Sequence, residues 1–128
     1  MILRRKKSGF TLIELLVVMA VIASLLTLAV PRYFASIEKS REAVLQANLT
    51  LLRHTLDNYY GDKGRYPEAL TELVDSKYLR SVPADAITES NLTLIIVPPP
   101  QPEMGDGVYD VRSGAAGMAR DGSAYQDW

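Results

Sequence analysis

Residues 10–30 are an almost unbroken apolar run of 21 residues, and the single ionisable side chain within it is Glu14. At 1.5 Å per residue such a run makes a helix of about 31 Å, the thickness of a bilayer hydrocarbon core. A carboxylate inside a membrane-spanning helix costs roughly 2.5–3.5 kcal/mol at mid-bilayer and less near an interface, so Glu14 needs a compensating contact. Four cations, Arg4, Arg5, Lys6 and Lys7, stand immediately before the run and favour a cytoplasmic N-terminus with the rest of the chain translocated. An ordinary secretory signal has a shorter apolar region and an Ala-x-Ala cleavage site, and neither is seen. Gly9 separates the charged leader from the run and leaves the backbone accessible to a processing enzyme. A cut after it would put a new ammonium on Phe10, four residues from Glu14, able to pair with its own carboxylate or that of a neighbouring copy. The plainer alternative is a Glu14 that is protonated or touches water near the cytoplasmic face.

The leader ending in Gly9, followed by Phe10-Thr11-Leu12-Ile13-Glu14-Leu15-Leu16-Val17-Val18, resembles the processing and assembly signal of type IV pilins and of the pseudopilins of type II secretion systems. The resemblance implies that a prepilin peptidase cuts between Gly9 and Phe10 and methylates Phe10. It also implies that Glu14 contacts the N-terminus of an adjacent subunit as a filament grows.

With 128 residues, the chain has room for one small domain beyond the apolar run. The formal charge of −1 becomes −5 once the four leader cations are set aside, leaving ten basic residues against fifteen acidic. That balance argues against nucleic acid as a partner, because phosphate binding needs a concentrated basic surface. The absence of cysteine excludes disulfides, thiolate metal sites and thiol nucleophiles. Within the resembled family, many type IV pilins close a C-terminal loop with a disulfide and major pseudopilins typically do not, which favours the pseudopilin branch.

Thr11, Ser24 and Thr27 are tolerable in an apolar helix because a hydroxyl can bond a carbonyl one turn earlier. Pro31 has no N–H for the carbonyl of Thr27, so the helix should bend or loosen between them, a modest kink in the isolated subunit. The family resemblance implies local melting there in an assembled filament. Beyond Pro31, Leu45, Leu49, Leu52, Leu56 and Tyr59 recur at spacings of 4, 3, 4 and 3, with Phe34 and Ile37 on much the same side. A single helix from about residue 10 to residue 60, about 75 Å long, is expected, ended by Gly61 and Gly64. His54, the only histidine, lies about 200° around the helix from Leu52 and Leu56 and reads as a surface residue.

The segments 59–67, with Arg65-Tyr66-Pro67, and 78–85 resemble pseudopilin patterns, although Ala86 stands where relatives often carry a second proline. Pro67 suits the first turn of a short helix with Leu70, Leu73 and Val74 as its apolar face. Residues 91–97 and 107–112 read as two strands joined through a proline-rich connector, and one further short strand is possible near the C-terminus. A small antiparallel sheet laid across residues 45–59 follows, since neither layer buries its apolar face alone.

Residues 109–114 and the ending Asp127-Trp128 resemble major pseudopilins that bind calcium in this loop. The resemblance offers Asp121, Asp127 and backbone oxygen near Ser113 as calcium ligands, of the six to eight oxygens the ion takes. Ala116 stands where calcium-binding relatives usually carry an aspartate. The alternative for Asp121 is a turn in which its side chain bonds its own backbone before Gly122. No catalytic constellation is present: no supported Ser-His-Asp arrangement, metal-type histidine pair or strand-to-helix glycine loop.

The expected fold class is α+β and pilin-like, a long N-terminal helix packed on a small antiparallel sheet. The expected organisation is a leader at 1–9 that is removed, a membrane and filament-core helix at 10–30, and a globular domain at 31–128. The expected function is a non-enzymatic filament subunit of a type II secretion pseudopilus, anchored once in the inner membrane with its domain in the periplasm. Its implied partners are identical subunits, the prepilin peptidase, the inner-membrane assembly platform and minor pseudopilins. Two alternatives stand: a type IV pilin for adhesion, motility or DNA uptake, and a membrane-anchored binding protein that never polymerises.

Overall fold

The computed structural model describes residues 8–128; the basic leader residues 4–7 lie outside them. Helix α1 runs Leu12–Lys63 and is followed by α2 (Leu70–Asp75), β1 (Ile95–Val97) and β2 (Asp110–Arg112). Two 3-10 turns, Pro102–Met104 and Tyr125–Asp127, complete the regular structure. The chain divides into two units, one reaching Ile37 and the other running from Glu38 to Trp128.

In the first unit every apolar side chain of the run is exposed, from Phe10 at 86% to Val30 at 43%. The segment is long and apolar enough to cross a membrane. Its hydroxyls are satisfied internally: Ser24 Oγ donates to the Ala20 carbonyl at 2.9 Å and Thr27 Oγ1 to the Ala23 carbonyl at 2.8 Å. Helical conformation continues through Pro31 without interruption. Pro31 has no N–H to give the Thr27 carbonyl, and the helix runs on past it to Lys63. Phe34, expected beside the leucine stripe, is exposed.

The second unit is built on the stripe itself. Leu45, Leu49, Leu52, Leu56 and Tyr59 are buried, and they pack with Leu70 and Leu73 of α2, Val108, Val111, Ala115, Ala119 and Tyr125. His54, between two of these leucines in sequence, is exposed as its helical angle requires.

Two helix boundaries differ from expectation. Gly61 lies inside α1, and the chain leaves the helix at Gly64, whose φ of +71° is the left-handed conformation and whose N–H reaches the Tyr60 carbonyl at 2.8 Å. Pro67 is not in the first turn of α2, which starts three residues later; its carbonyl instead accepts from the Val108 N–H at 2.8 Å, tying the loop after α1 to the segment that enters β2.

The sheet is two antiparallel strands, with Ile95 opposite Arg112, Ile96 opposite Val111 and Val97 opposite Asp110. Both strands are shorter than the sequence suggests. Residues 91–94 are held in a turn because the Thr93 hydroxyl donates to the Ser90 carbonyl at 3.2 Å and the Leu92 N–H to Ser90 Oγ at 3.1 Å, competing with a ladder. Val111 is fully buried while Ile95 and Ile96 remain partly exposed, so β2 carries the contact with the core. Arg53 of α1 fixes that contact, donating through Nε to Asp110 at 2.8 Å and through Nη2 to the Val111 carbonyl at 3.1 Å. In place of a third strand there is an isolated bridge between Met118 and Ala124.

Candidate processing and assembly site

Thr11 sets where α1 begins. Its Oγ1 accepts from the Glu14 N–H at 3.1 Å, and its carbonyl accepts from the Leu15 N–H at 3.1 Å. Thr11 is thus the N-cap and Glu14 occupies the third helical position, the arrangement of a Thr-x-x-Glu capping box. The positive end of the helix dipole lies at this first turn and favours a carboxylate there. Sequence reasoning treated Thr11 only as a tolerated hydroxyl; the Thr-x-x-Glu spacing ahead of an apolar run was the signal that identifies it.

Ser8, Gly9, Phe10 and Glu14 line one shallow, open cavity of about 280 Å³. The bond between Gly9 and Phe10 therefore lies beside the one carboxylate of the run, and it lies in non-helical chain ahead of the cap. A side chain added at Gly9 would meet nothing within 4 Å. This chain's own packing makes no demand for glycine there. Among the described residues no salt bridge engages Glu14. A cation from elsewhere can reach it. Pro31 is set apart from this cluster, on the exposed surface of α1.

The three C-terminal residues considered for calcium are engaged separately. Ser113 is buried and donates its hydroxyl to Oδ2 of the buried Asp85, while accepting from the Ala115 N–H at 3.1 Å. Asp121 Oδ1 accepts from the Ser123 N–H at 2.9 Å and from Ser123 Oγ at 2.6 Å, a side-chain-closed turn; those bonds hold its carboxyl below the usual carboxylate range. Asp127 is exposed in the last 3-10 turn. No group of three or more histidine, aspartate or glutamate side chains converges among the described residues. As placed, these residues do not supply the ligand number a calcium ion takes.

Glu42 was not singled out from sequence, yet it anchors the C-terminal segment. Its Oε1 accepts from the Arg120 N–H at 2.9 Å and from the Tyr125 hydroxyl at 3.0 Å. Contacts 78 and 83 residues apart leave no local signature.

Residues 4–30 match the prokaryotic N-terminal methylation motif. A type II secretion system core protein G of Aeromonas hydrophila is 36% identical over 64 residues, 50% of this chain and 45% of that protein. The type IV major pilin protein PilA of Myxococcus xanthus is 31% identical over 68 residues, 53% of this chain and 31% of that one. The fimbrial protein EcpC of Eikenella corrodens is 29% identical over 126 residues, 94% of this chain and 81% of that protein. The chain thus spans less than half the length of the first two relatives. No solved structure matches. Residues 4–30 of this chain carry the prokaryotic N-terminal methylation motif, and about half of the chain is similar to type II secretion core protein G and to a type IV major pilin alike.

Proposed function

We propose that this chain is a structural subunit of a helical filament, the pseudopilus of a type II protein secretion system, cut between Gly9 and Phe10 and methylated on Phe10. The observation that carries the reading is an apolar half-helix exposed along its whole length, with one carboxylate in its first turn that makes no salt bridge among the described residues. Packed among identical helices, the apolar surface leaves lipid or water without loss. The ammonium created on Phe10 of one subunit then meets Glu14 of another, offsetting the cost of placing a charge in a low-dielectric core. Before assembly the subunit sits in the inner membrane, leader in the cytoplasm and second unit in the periplasm. The prepilin peptidase, the assembly platform and minor pseudopilins act on it there.

The test is Glu14→Ala in the full chain. The variant is expected to insert and be processed but to give no filaments by electron microscopy of cells overproducing the secretion machinery. Filaments of normal length from the alanine variant would refute the pairing, and function without polymerisation would favour a membrane-anchored binding protein.

A second reading, a type IV pilin displayed on the surface, is supported by the likeness to EcpC along 94% of this chain. Long filaments on intact cells, with protein export unaffected by deletion, would decide for it.

A further inference from the structure

The tripeptide Asn-Leu-Thr, the acceptor sequence for N-linked glycans, occurs twice, at residues 48–50 and 91–93. The two copies have opposite settings. Asn48 lies within α1, its Nδ2 donates to the Ala84 carbonyl at 3.0 Å, and Leu49 is buried in the core. A transferase cannot take that segment without unfolding the domain. Asn91 is exposed and lies outside helix and strand, and Leu92 beside it is 91% exposed.

A second feature separates the copies. An acidic residue two positions before the asparagine offers a cationic side chain of a transferase a charge to pair with. Glu89 occupies that position for Asn91; Gln46 occupies it for Asn48. Glu89 has a φ of 58° at the turn, and among the described residues its carboxylate is held only by Arg41 at 3.8 Å across an exposed surface. Such a pair is worth little and yields readily to a competing cation. The Thr93 hydroxyl is exposed and makes only local bonds, to the Ser90 carbonyl and to Thr88 Oγ1. Glu89, Asn91, Leu92 and Thr93 are thus exposed within one turn, while the half-buried Ser90 between them anchors it through its carbonyl to the Asp85 N–H at 3.1 Å.

We infer that Asn91 is a site of N-glycosylation, with a polyprenyl-diphosphate-linked oligosaccharide as the donor. In the transfer, Asn91 Nδ2 bonds to the anomeric carbon of the first sugar, and the bond from that carbon to the diphosphate breaks. Polyprenyl diphosphate leaves with the electron pair, and one amide proton is lost to a base of the transferase. The donor and transferase work on the outer face of the inner membrane, so the inference rests on the topology proposed above.

The experiment expresses the full chain in cells holding a bacterial oligosaccharyltransferase and a lipid-linked oligosaccharide of known mass, then weighs the purified chain by intact-mass spectrometry. The expected result is a gain of one oligosaccharide per chain, abolished by Asn91→Gln, reduced at least tenfold by Glu89→Gln and unchanged by Asn48→Gln. Protease accessibility in spheroplasts reports the topology of the same samples. An unmodified chain with an accessible second unit, beside a control acceptor that is glycosylated, overturns the glycan site alone. An inaccessible second unit overturns the topology and the glycan site with it.

Discussion

Glu72 of α2 gathers three donors, one from α1 and two from the loop between the helices. Its Oε1 accepts from the Tyr59 hydroxyl at 2.6 Å and from Arg65 Nη2 at 2.7 Å, and its Oε2 accepts from the Glu68 N–H at 2.7 Å. The Arg65 and Tyr59 bonds, with that N–H, hold its carboxyl down at about 2, and the same contacts raise Tyr59 and Arg65 above their ordinary values. A carboxylate held below its unfolded value contributes stability that is complete above that value and is lost as pH falls through the folded one. The melting temperature should therefore fall between about pH 4.5 and pH 2, and Glu72→Gln should flatten that acid limb while lowering the melting temperature at neutral pH. Gly114 is a second single-residue control. A Cβ there would come to 1.6 Å from the Thr93 carbonyl oxygen, a backbone atom that cannot swing aside. Gly114→Ala should cost about 3 kcal/mol or more in denaturant unfolding.

At the scale of elements, α1 has three separable supports. Thr11→Ala removes the N-cap and should cost the first turn about 1 kcal/mol, read as faster amide exchange at residues 12–15, with Thr11→Ser restoring protection. Leu52→Ala empties a fully buried position and should cost about 2–5 kcal/mol. Gly61→Ala, at a helical position with nothing within 4 Å of the added carbon, should stabilise by about 0.5–1 kcal/mol. The leucine stripe, the span of α1 and the antiparallel pairing of the two strands were legible because each is a local period. Of the two glycines expected to end α1, Gly64 does so, while Gly61 stays helical because packing of Tyr59, two residues earlier, outweighs one glycine's intrinsic penalty. The strand expected from residue 91 begins only at Ile95, since β propensity ignores the hydroxyls of Ser90 and Thr93. Gly9, Phe10 and Glu14 could be named from sequence; the clamp of Glu42 on Arg120 and Tyr125 could not, because only folding brings those residues together.

The whole molecule joins a half-helix with no internal burial to a unit holding its own core. A chain begun at Glu38 keeps every residue of that core and should run as a soluble monomer on gel filtration, whereas the full chain should need detergent. Millimolar calcium should leave the melting temperature of either form unchanged; a rise of several degrees would show a ligand set assembling that this arrangement does not offer. The cap at Thr11 bears on the order of events. On the processing proposed above, the Gly9–Phe10 bond lies in non-helical chain and Thr11, which caps the helix, stays on the retained side, so the cut would unwind no helical turn. The proposed trimming would thus change the charge at the tip of a helix whose cap it leaves in place.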